Sequence, residues 1–485
     1  MARLRATAAL ISLMCGTITG AGNAHADTLR EALASAYNTN PILMAARADL
    51  RAQDENVPIT RADGLPNIAA NANYTNFLHQ SSDSLLNADN QITGSVTLAV
   101  PIYSGGAVRN GLRAARTRVQ AGRADLRGTE SAVFAQVVAA YMDVIQNEAI
   151  TSLSESLVEV LSVNLQASTD RFEIGDLTRT DVAQSRARME LARGDMRSAQ
   201  ANLSAARERY IELVGRAPGQ LAPPPPLPNL PDDAAIAVAI ALENNPDLLS
   251  ARENAEAARY DIKVAGSSRM PRVELFSGAD YSHSERGDIP GLGNVFANTN
   301  TTATAGVRAT IPIFQGGRPA ALERQAQARA AALLEREIAT EREVIAQVRA
   351  AYSSWRASHA IIESTEGAIE AAELSLEGVR AENTVGNRTI LDILDAEQEL
   401  LRARVQLVTA RRNAYVAGFS LLASMGRAEA RDLAIDTGGP LYDPVANYER
   451  VQGKLLDWAS DPAPQPRSTR TIDTATQNGT ISGQE

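Results

Sequence analysis

The chain has 485 residues, with 47 Lys and Arg against 57 Asp and Glu and a formal charge of −10. An acidic chain without a basic block is a poor candidate for nucleic-acid binding. Aromatic residues make up only 4 %, too few for one large conventional core, and beyond the first residues no apolar run is long enough for a membrane-spanning helix.

Residues 1–26 read as an export signal. Arg3 and Arg5 form a positive start, Leu10 to Ile18 is mostly apolar, and Ala24-His25-Ala26 is a small-residue cleavage site. Met14 precedes Cys15 where a lipoprotein signal needs a small residue, which argues against lipidation. Cleavage after Ala26 moves the formal charge to −12 and removes the only cysteine, so disulfides and thiolate ligation are excluded from the mature chain. An exported chain of this kind can still enter a membrane through a β-barrel.

From residue 27 onward the chain says the same thing twice. Asn40-Pro41 recurs as Asn245-Pro246 and Leu65-Pro66 as Met270-Pro271, at an offset of 205. Val100-Pro101-Ile102-Tyr103-Ser104-Gly105-Gly106 returns as Ile311-Pro312-Ile313-Phe314-Gln315-Gly316-Gly317 at an offset of 211, and Tyr141, Gly175 and Gly215 keep that offset with Tyr352, Gly386 and Gly426. This is a tandem duplication with one insertion of six, in units far longer than solenoid repeats. The organisation expected is a first copy over 27–215, a Pro-rich linker over 216–233, a second copy over 234–426 and an extension over 427–485.

Each copy opens with a helix, about 28–60 in the first. A β-hairpin follows, over 66–103 and again over 271–314. Residues 92–102 alternate, with Ile92, Val96, Leu98, Val100 and Ile102 on one face and Thr93, Ser95 and Thr97 on the other. In the second copy Ala303, Ala305, Val307, Ala309, Ile311 and Ile313 face opposite Thr302, Thr304, Arg308 and Thr310. The partner strands 67–77 and 272–282 are more weakly patterned. Strands of about ten residues with one apolar and one polar face fit a membrane barrel with a wet lumen. The hairpin tips, 79–90 and 283–301, are polar, and the second carries the insertion. Four strands cannot close a barrel and an open edge is forbidden in lipid, so several chains must combine. Two chains give eight strands and three give twelve; the sequence alone does not choose.

Residues 102–217 and 320–439 contain no proline and read as very long helices. Leu334, Ile338, Ile345, Val348, Tyr352, Trp355, Ile362, Ile369 and Leu376 follow a coiled-coil seam, interrupted by Glu341, His359, Glu366 and Glu373. Phe134, Val137, Tyr141 and Val144 form the equivalent seam of the first copy. Each stretch has one break, at Gly175 and at Gly386, where glycine ends one helix and a following Thr or Asp caps the next. The descending helix of about 70 residues matches the summed opening and returning helices (178–214 in the first copy), so the two shorter helices are expected to stack end to end beside the long one.

In this ordered set of motifs the chain resembles the TolC family of outer-membrane efflux proteins over about 28–430. The resemblance rests on the duplicated Asn-Pro, on Pro-Ile-Tyr-Ser-Gly-Gly with Pro-Ile-Phe-Gln-Gly-Gly, and on Leu391-Asp392-Ile393-Leu394-Asp395-Ala396. It implies a mainly α fold with a membrane β-barrel: a homotrimer with one 12-stranded barrel continuous with a long α-helical coiled-coil tunnel in the periplasm. It further implies a passive duct in the outer membrane. A periplasmic adaptor protein and an inner-membrane ABC or RND transporter would serve it, for type I protein secretion or multidrug efflux. Asp392 and Asp395 match the aspartates that ring the family's periplasmic gate. Arg388 matches the arginine that ties the inner coiled coil to its neighbour, and Thr180 and Asp181 match that arginine's partners. Asn383 stands where the best-known branch has a tyrosine. Gly175, Leu177, Thr178, Gly386 and Thr389 form the tips expected to dock the adaptor.

No nucleophile elbow, Walker loop or dinucleotide fingerprint is present, so neither enzyme nor cofactor is expected. Gly105-Gly106 and Gly316-Gly317 are read as bends at strand-to-helix corners. His79, His283 and His359 lack a partner at ligand spacing and are read as surface or seam residues rather than metal ligands. The tail lacks periodicity and is expected to be disordered from about 460. The rival reading is a periplasmic coiled-coil adaptor or scaffold whose hairpins are soluble.

Overall fold

The computed structural model describes residues 27–79, 88–228, 230–285 and 298–480. The export signal, most of both hairpin tips with the six-residue insertion, and the last five residues lie outside the described residues.

The opening helix is broken where the sequence reading drew it continuous: α1 (Leu29–Thr39), α2 (Pro41–Asp54) and α3 (Asn56–Ala62) follow one another. The first break is made by Asn40-Pro41. Pro41 cannot donate a helical hydrogen bond and is tolerated at the first helical position. The Asn40 side chain accepts from the amides of Ile42 and Leu43 at 3.0 and 3.3 Å, capping α2, while its own amide donates to Leu213 O at 3.0 Å. Asn245 repeats this in the second copy, bonding Asp247 N, Leu248 N and Ser424 O. It separates α6 (Ala234–Asn244) from α7 (Pro246–Gly266). The duplicated Asn-Pro is therefore the joint at which the end of the returning helix meets the opening helices.

The long helices α4 (Ala107–Glu173) and α8 (Arg318–Thr384) are 67 residues each, about 100 Å at 1.5 Å per residue. The returning helices are α5 (Arg179–Val214) and α9 (Ile390–Ser424). Both long helices begin at a glycine in the left-handed region, Gly106 and Gly317, which confirms the double glycines as corners. α4 packs against α5, α7 and α9, whereas α8 meets α6, α7 and α9.

The strands β1 (Asn67–Asn76), β2 (Asn90–Tyr103), β3 (Arg272–Glu285) and β4 (Asn298–Thr310) form one antiparallel sheet in the order β1-β2-β3-β4. β4 stops at Thr310, short of Ile311 and Ile313, while β2 continues through a register shift between Pro101 and Tyr103. The register Ile68–Leu98, Val96–Ala279, Leu275–Val307 and Ala279–Ala303 places the apolar positions of all four strands on one face. The other face carries Asn71, Asn73, Thr97, Asp280, Glu274 and Arg308. Phe276 is the exception there. It lies over Gly306, where a Cβ would fall 2.9 Å from its ring, with the Arg308 guanidinium 4.9 Å from the ring centre and bonded to Glu274 at 2.9 Å.

The main core sits at mid-height, where α1, α6, the linker and the C-terminal extension wrap the middles of α4 and α8 and the C-terminal ends of α5 and α9. Phe134, Val137, Tyr141 and Val144 are fully buried in it. The buried Tyr141 hydroxyl lies 2.6 Å from Ala222 O and 2.9 Å from Asp27 O, and its duplicate Tyr352 bonds Asp232 O at 2.5 Å, so both tyrosines hold the Pro-rich linker. Arg47 is stacked between the rings of Tyr37 and Tyr442. A further helix absent from the sequence reading, α10 (Ala446–Val451), docks on α2.

The tail from about residue 460 lies along the helices. Residues 467–480 form no helix or strand, yet they follow the surface of α5. Arg207 donates to Asn478 O and Thr480 O at 2.8 and 3.0 Å, and Gln477 N donates to Glu208 at 2.9 Å. A Cβ on Gly479 would fall 2.1 Å from Gln200 O, so glycine alone allows that approach. These contacts to α5 are polar, and the segment has no apolar period of its own.

Candidate functional site

The two helical hairpins turn in the same way. Gly175 and Gly386 have φ of 84° and 79°, a region nearly closed to residues with a Cβ. Gly175 N donates to Phe172 O and Asp176 N to Arg171 O; Gly386 N donates to Asn383 O and Asn387 N to Glu382 O. Both are Schellman ends, which satisfy the last carbonyls of the descending helix. Thr178 and Thr389 then cap α5 and α9 in capping boxes with Asp181 and Asp392. In each box the carboxylate accepts from the Thr amide, at 2.9 and 2.8 Å, and from the Thr hydroxyl at 2.7 Å. These bonds, hydroxyl first and backbone amide second, hold Asp181 and Asp392 below the usual carboxylate range. Leu177 is half-buried, while Ile174 and Val385 are exposed at the two tips.

Within one chain the residues expected at a gate have the following partners. Arg388 reaches Glu382 at 2.8 Å and Asp392 at 3.8 Å, within its own hairpin; its hydrogen bond to Glu382 raises its pKa further, with Asp392 adding to the effect. Within one chain Arg388 does not meet Thr180, which is exposed, or Asp181, which is engaged by Thr178. The first hairpin has the reverse polarity, with Arg171 bonded to Asp176 at 2.7 Å. Asn383 donates to Arg388 O at 2.8 Å, so it braces the turn that carries the arginine. Asp392 and Asp395 have separate partners. Asp395 is bound by Arg188 of α5 at 2.5 Å, and Arg188 also donates to Gln398 at 2.9 Å.

Arg188 links the two hairpins and escaped the sequence reading. Its trace is a charge reversal across the duplication, since Arg188 corresponds to Glu399 and Arg171 to Glu382. Beside it, Leu394 of α9 is buried against Leu161, Met189 and Ala192, so an apolar contact and an ion pair together hold α9 against the α4–α5 hairpin. At the opposite end, His283 contacts Thr299 at 2.8 Å and Glu285, two residues along its own strand, at 2.9 Å. No group of acidic, His or Cys residues suited to a metal occurs among the described residues.

This duplicated arrangement of hairpins and sheet agrees with the comparisons. The pattern of the outer membrane efflux protein family matches residues 32–216 and 237–427, one segment per copy. The chain belongs to the outer membrane efflux protein family. It is 33 % identical over 445 residues to the outer membrane efflux protein BepC of Brucella suis, covering 91 % of this chain and 94 % of BepC. It is 26 % identical to the outer membrane protein TolC of Escherichia coli, with 94 % of each chain covered. The fold also matches the Campylobacter jejuni CmeC outer membrane channel with a TM-score of 0.73, at 16 % identity over 88 % of this chain and 90 % of CmeC. As a family member the protein is an efflux component of the outer membrane with a periplasmic tunnel, and the soluble-scaffold reading is not favoured.

Proposed function

We propose that three copies close one twelve-stranded barrel and one helical tunnel, and that the duct is shut by the hairpin tips. In this reading the parts are the copies 27–215 and 234–426, the linker 216–233 and the extension 427–485. The carrying observation is that β1 and β4 each have a neighbour on one side only, in a sheet with one apolar and one polar face. Such a sheet is stable in lipid only when its edges are paired by further strands. A second asymmetry supports a ring. Gly105 packs on the turn that opens the second hairpin, a Cβ there falling 2.7 Å from Met270 and 2.8 Å from Ser267 O, whereas its duplicate Gly316 faces open space. The surface that completes Gly316 is the equivalent turn at Leu65-Pro66 of a second copy.

The duct takes its substrate from an inner-membrane ABC or RND transporter through a periplasmic adaptor, which engages Gly175, Leu177, Thr178, Gly386 and Thr389. Asp392 and Asp395, repeated three times, place six carboxylates around the aperture, and crowded like charges bind multivalent cations. Arg388, with Asn383 bracing its turn, reaches Thr180 and Asp181 of a neighbouring copy only in the closed ring. Single-channel recording tests the gate. A trivalent cation blocks the wild type, and Asp392→Ala with Asp395→Ala raises the blocking concentration; equal block of the two channels contradicts the assignment.

A further inference from the structure

The C-terminal extension carries a feature the duct does not explain. After α10 the chain makes a short loop whose base is closed by Arg450, which grips both oxygens of Asp461 at 2.8 Å, with Lys454 3.4 Å from the same carboxylate. The loop is tied to α3 by Arg61, which donates to Gln452 O at 2.8 Å. Its tip presents Leu455, Leu456 and Trp458, which are 62, 79 and 98 % exposed. Three large apolar side chains held outward by a closed ion-paired base are costly in water, and such patches mark interaction sites.

Its position identifies the occupant. Leu455 and Leu456 line one cavity with Pro66, Asn67 and Ile68, the start of β1, where Ile68 begins the exposed apolar face of the sheet. The loop thus lies beside the end of the strands nearest the helices, the side of the periplasmic leaflet. Tryptophan favours this level of a bilayer, where its ring is partly in hydrocarbon and its N–H is wet.

We propose that residues 454–459 are an interfacial anchor that inserts Trp458, with Leu455 and Leu456, into the periplasmic leaflet of the outer membrane. The anchor rests on the family's outer-membrane location and not on the proposed gate or copy number. It fixes the height of the barrel and ties the C-terminal extension to the membrane surface.

Trp355 and Trp458 are the two tryptophans of the chain, and Trp355 packs between Tyr352 and His359 on the helical tunnel. The full-length Trp355→Phe protein, in bilayers of brominated phosphatidylcholine, therefore reports on Trp458 alone. The expected result is a loss of emission with bromolipid, a blue shift relative to the denatured chain, and weak quenching by aqueous iodide. The Trp458→Phe protein in the same bilayers keeps its emission. Strong iodide quenching without bromolipid quenching overturns the proposal. So does a blue-shifted Trp458 shielded from both quenchers, which would place the loop against another copy of the chain.

Discussion

The helices α4 and α8 are copies of one another, equal in length and start geometry, yet twenty-one residues of α4 are buried and only six of α8. α4 lies in the interior of the chain, between α5, α7 and α9. α8 lies at its edge, and Leu334 and Ile338, the first positions of the seam read from its sequence, are exposed. An apolar seam retained on a face without a neighbour in the chain is what the proposed ring of copies requires. The same contrast separates Gly105 from Gly316 and the inner strand pair from β1 and β4. Duplication gave each repeat the same two sides; one pair is satisfied within the chain, and in the proposed ring the other is filled by a second chain.

The largest effect should come from the interior side. Phe134→Ala removes a fully buried ring packed 6.3 Å from Tyr37 and should cost about 3–5 kcal/mol, lowering the unfolding midpoint of the helical signal in monomer and assembly alike. Ile338→Ala, on the exposed side, should change the dissociated chain by less than about 0.5 kcal/mol and destabilise only the assembly. Equal losses in the two states would erase the distinction between interior and edge.

A smaller effect is expected where the two repeats meet at the tip. Arg188 and Asp395 are both substantially solvated, so the pair should be worth only about 0.2–1 kcal/mol per chain. Arg188→Ala should therefore leave folding intact while raising single-channel conductance, because in the proposed ring three copies of a weak latch bias one aperture. Unchanged conductance would remove Arg188 from the closure.

The smallest effect separates tip from core by the sign of its pH dependence. Asp181 and Asp392 are held below their ordinary value. Their contribution is present above the unfolded carboxylate value of about 3.9 and is lost as pH falls through the lowered folded value. Burial raises Glu130, Asp54 and Asp247 near the core, so their folded forms hold protons more tightly and the core loses stability as pH rises through their raised values. Hydrogen exchange at decreasing pH should show protection falling at 178–185 and 389–396 before it falls in the core. Asp181→Asn with Asp392→Asn should abolish that difference.

The long helices and the sheet were legible because their signals are local. Proline-free stretches bounded by glycine set α4, α5, α8 and α9, and strict alternation set β2. The split of the opening helix was legible too, since Asn40 caps α2 through the local amides of Ile42 and Leu43 with Pro41 at the first helical position; only its bond to Leu213 O depends on a distant segment. Gly175, Thr178, Gly386 and Thr389 were legible as turn chemistry. Arg188 and the path of the tail on α5 were not, because each depends on groups brought together from distant parts of the chain.

The central claim is that the empty side of α8 and the open edges of β1 and β4 are filled by two further copies. Native mass measurement of the outer-membrane protein in mild detergent tests it most directly. The account predicts three chains, and dissociation when Leu334 and Ile338 are both changed to Asp; a wild-type monomer or dimer would contradict it.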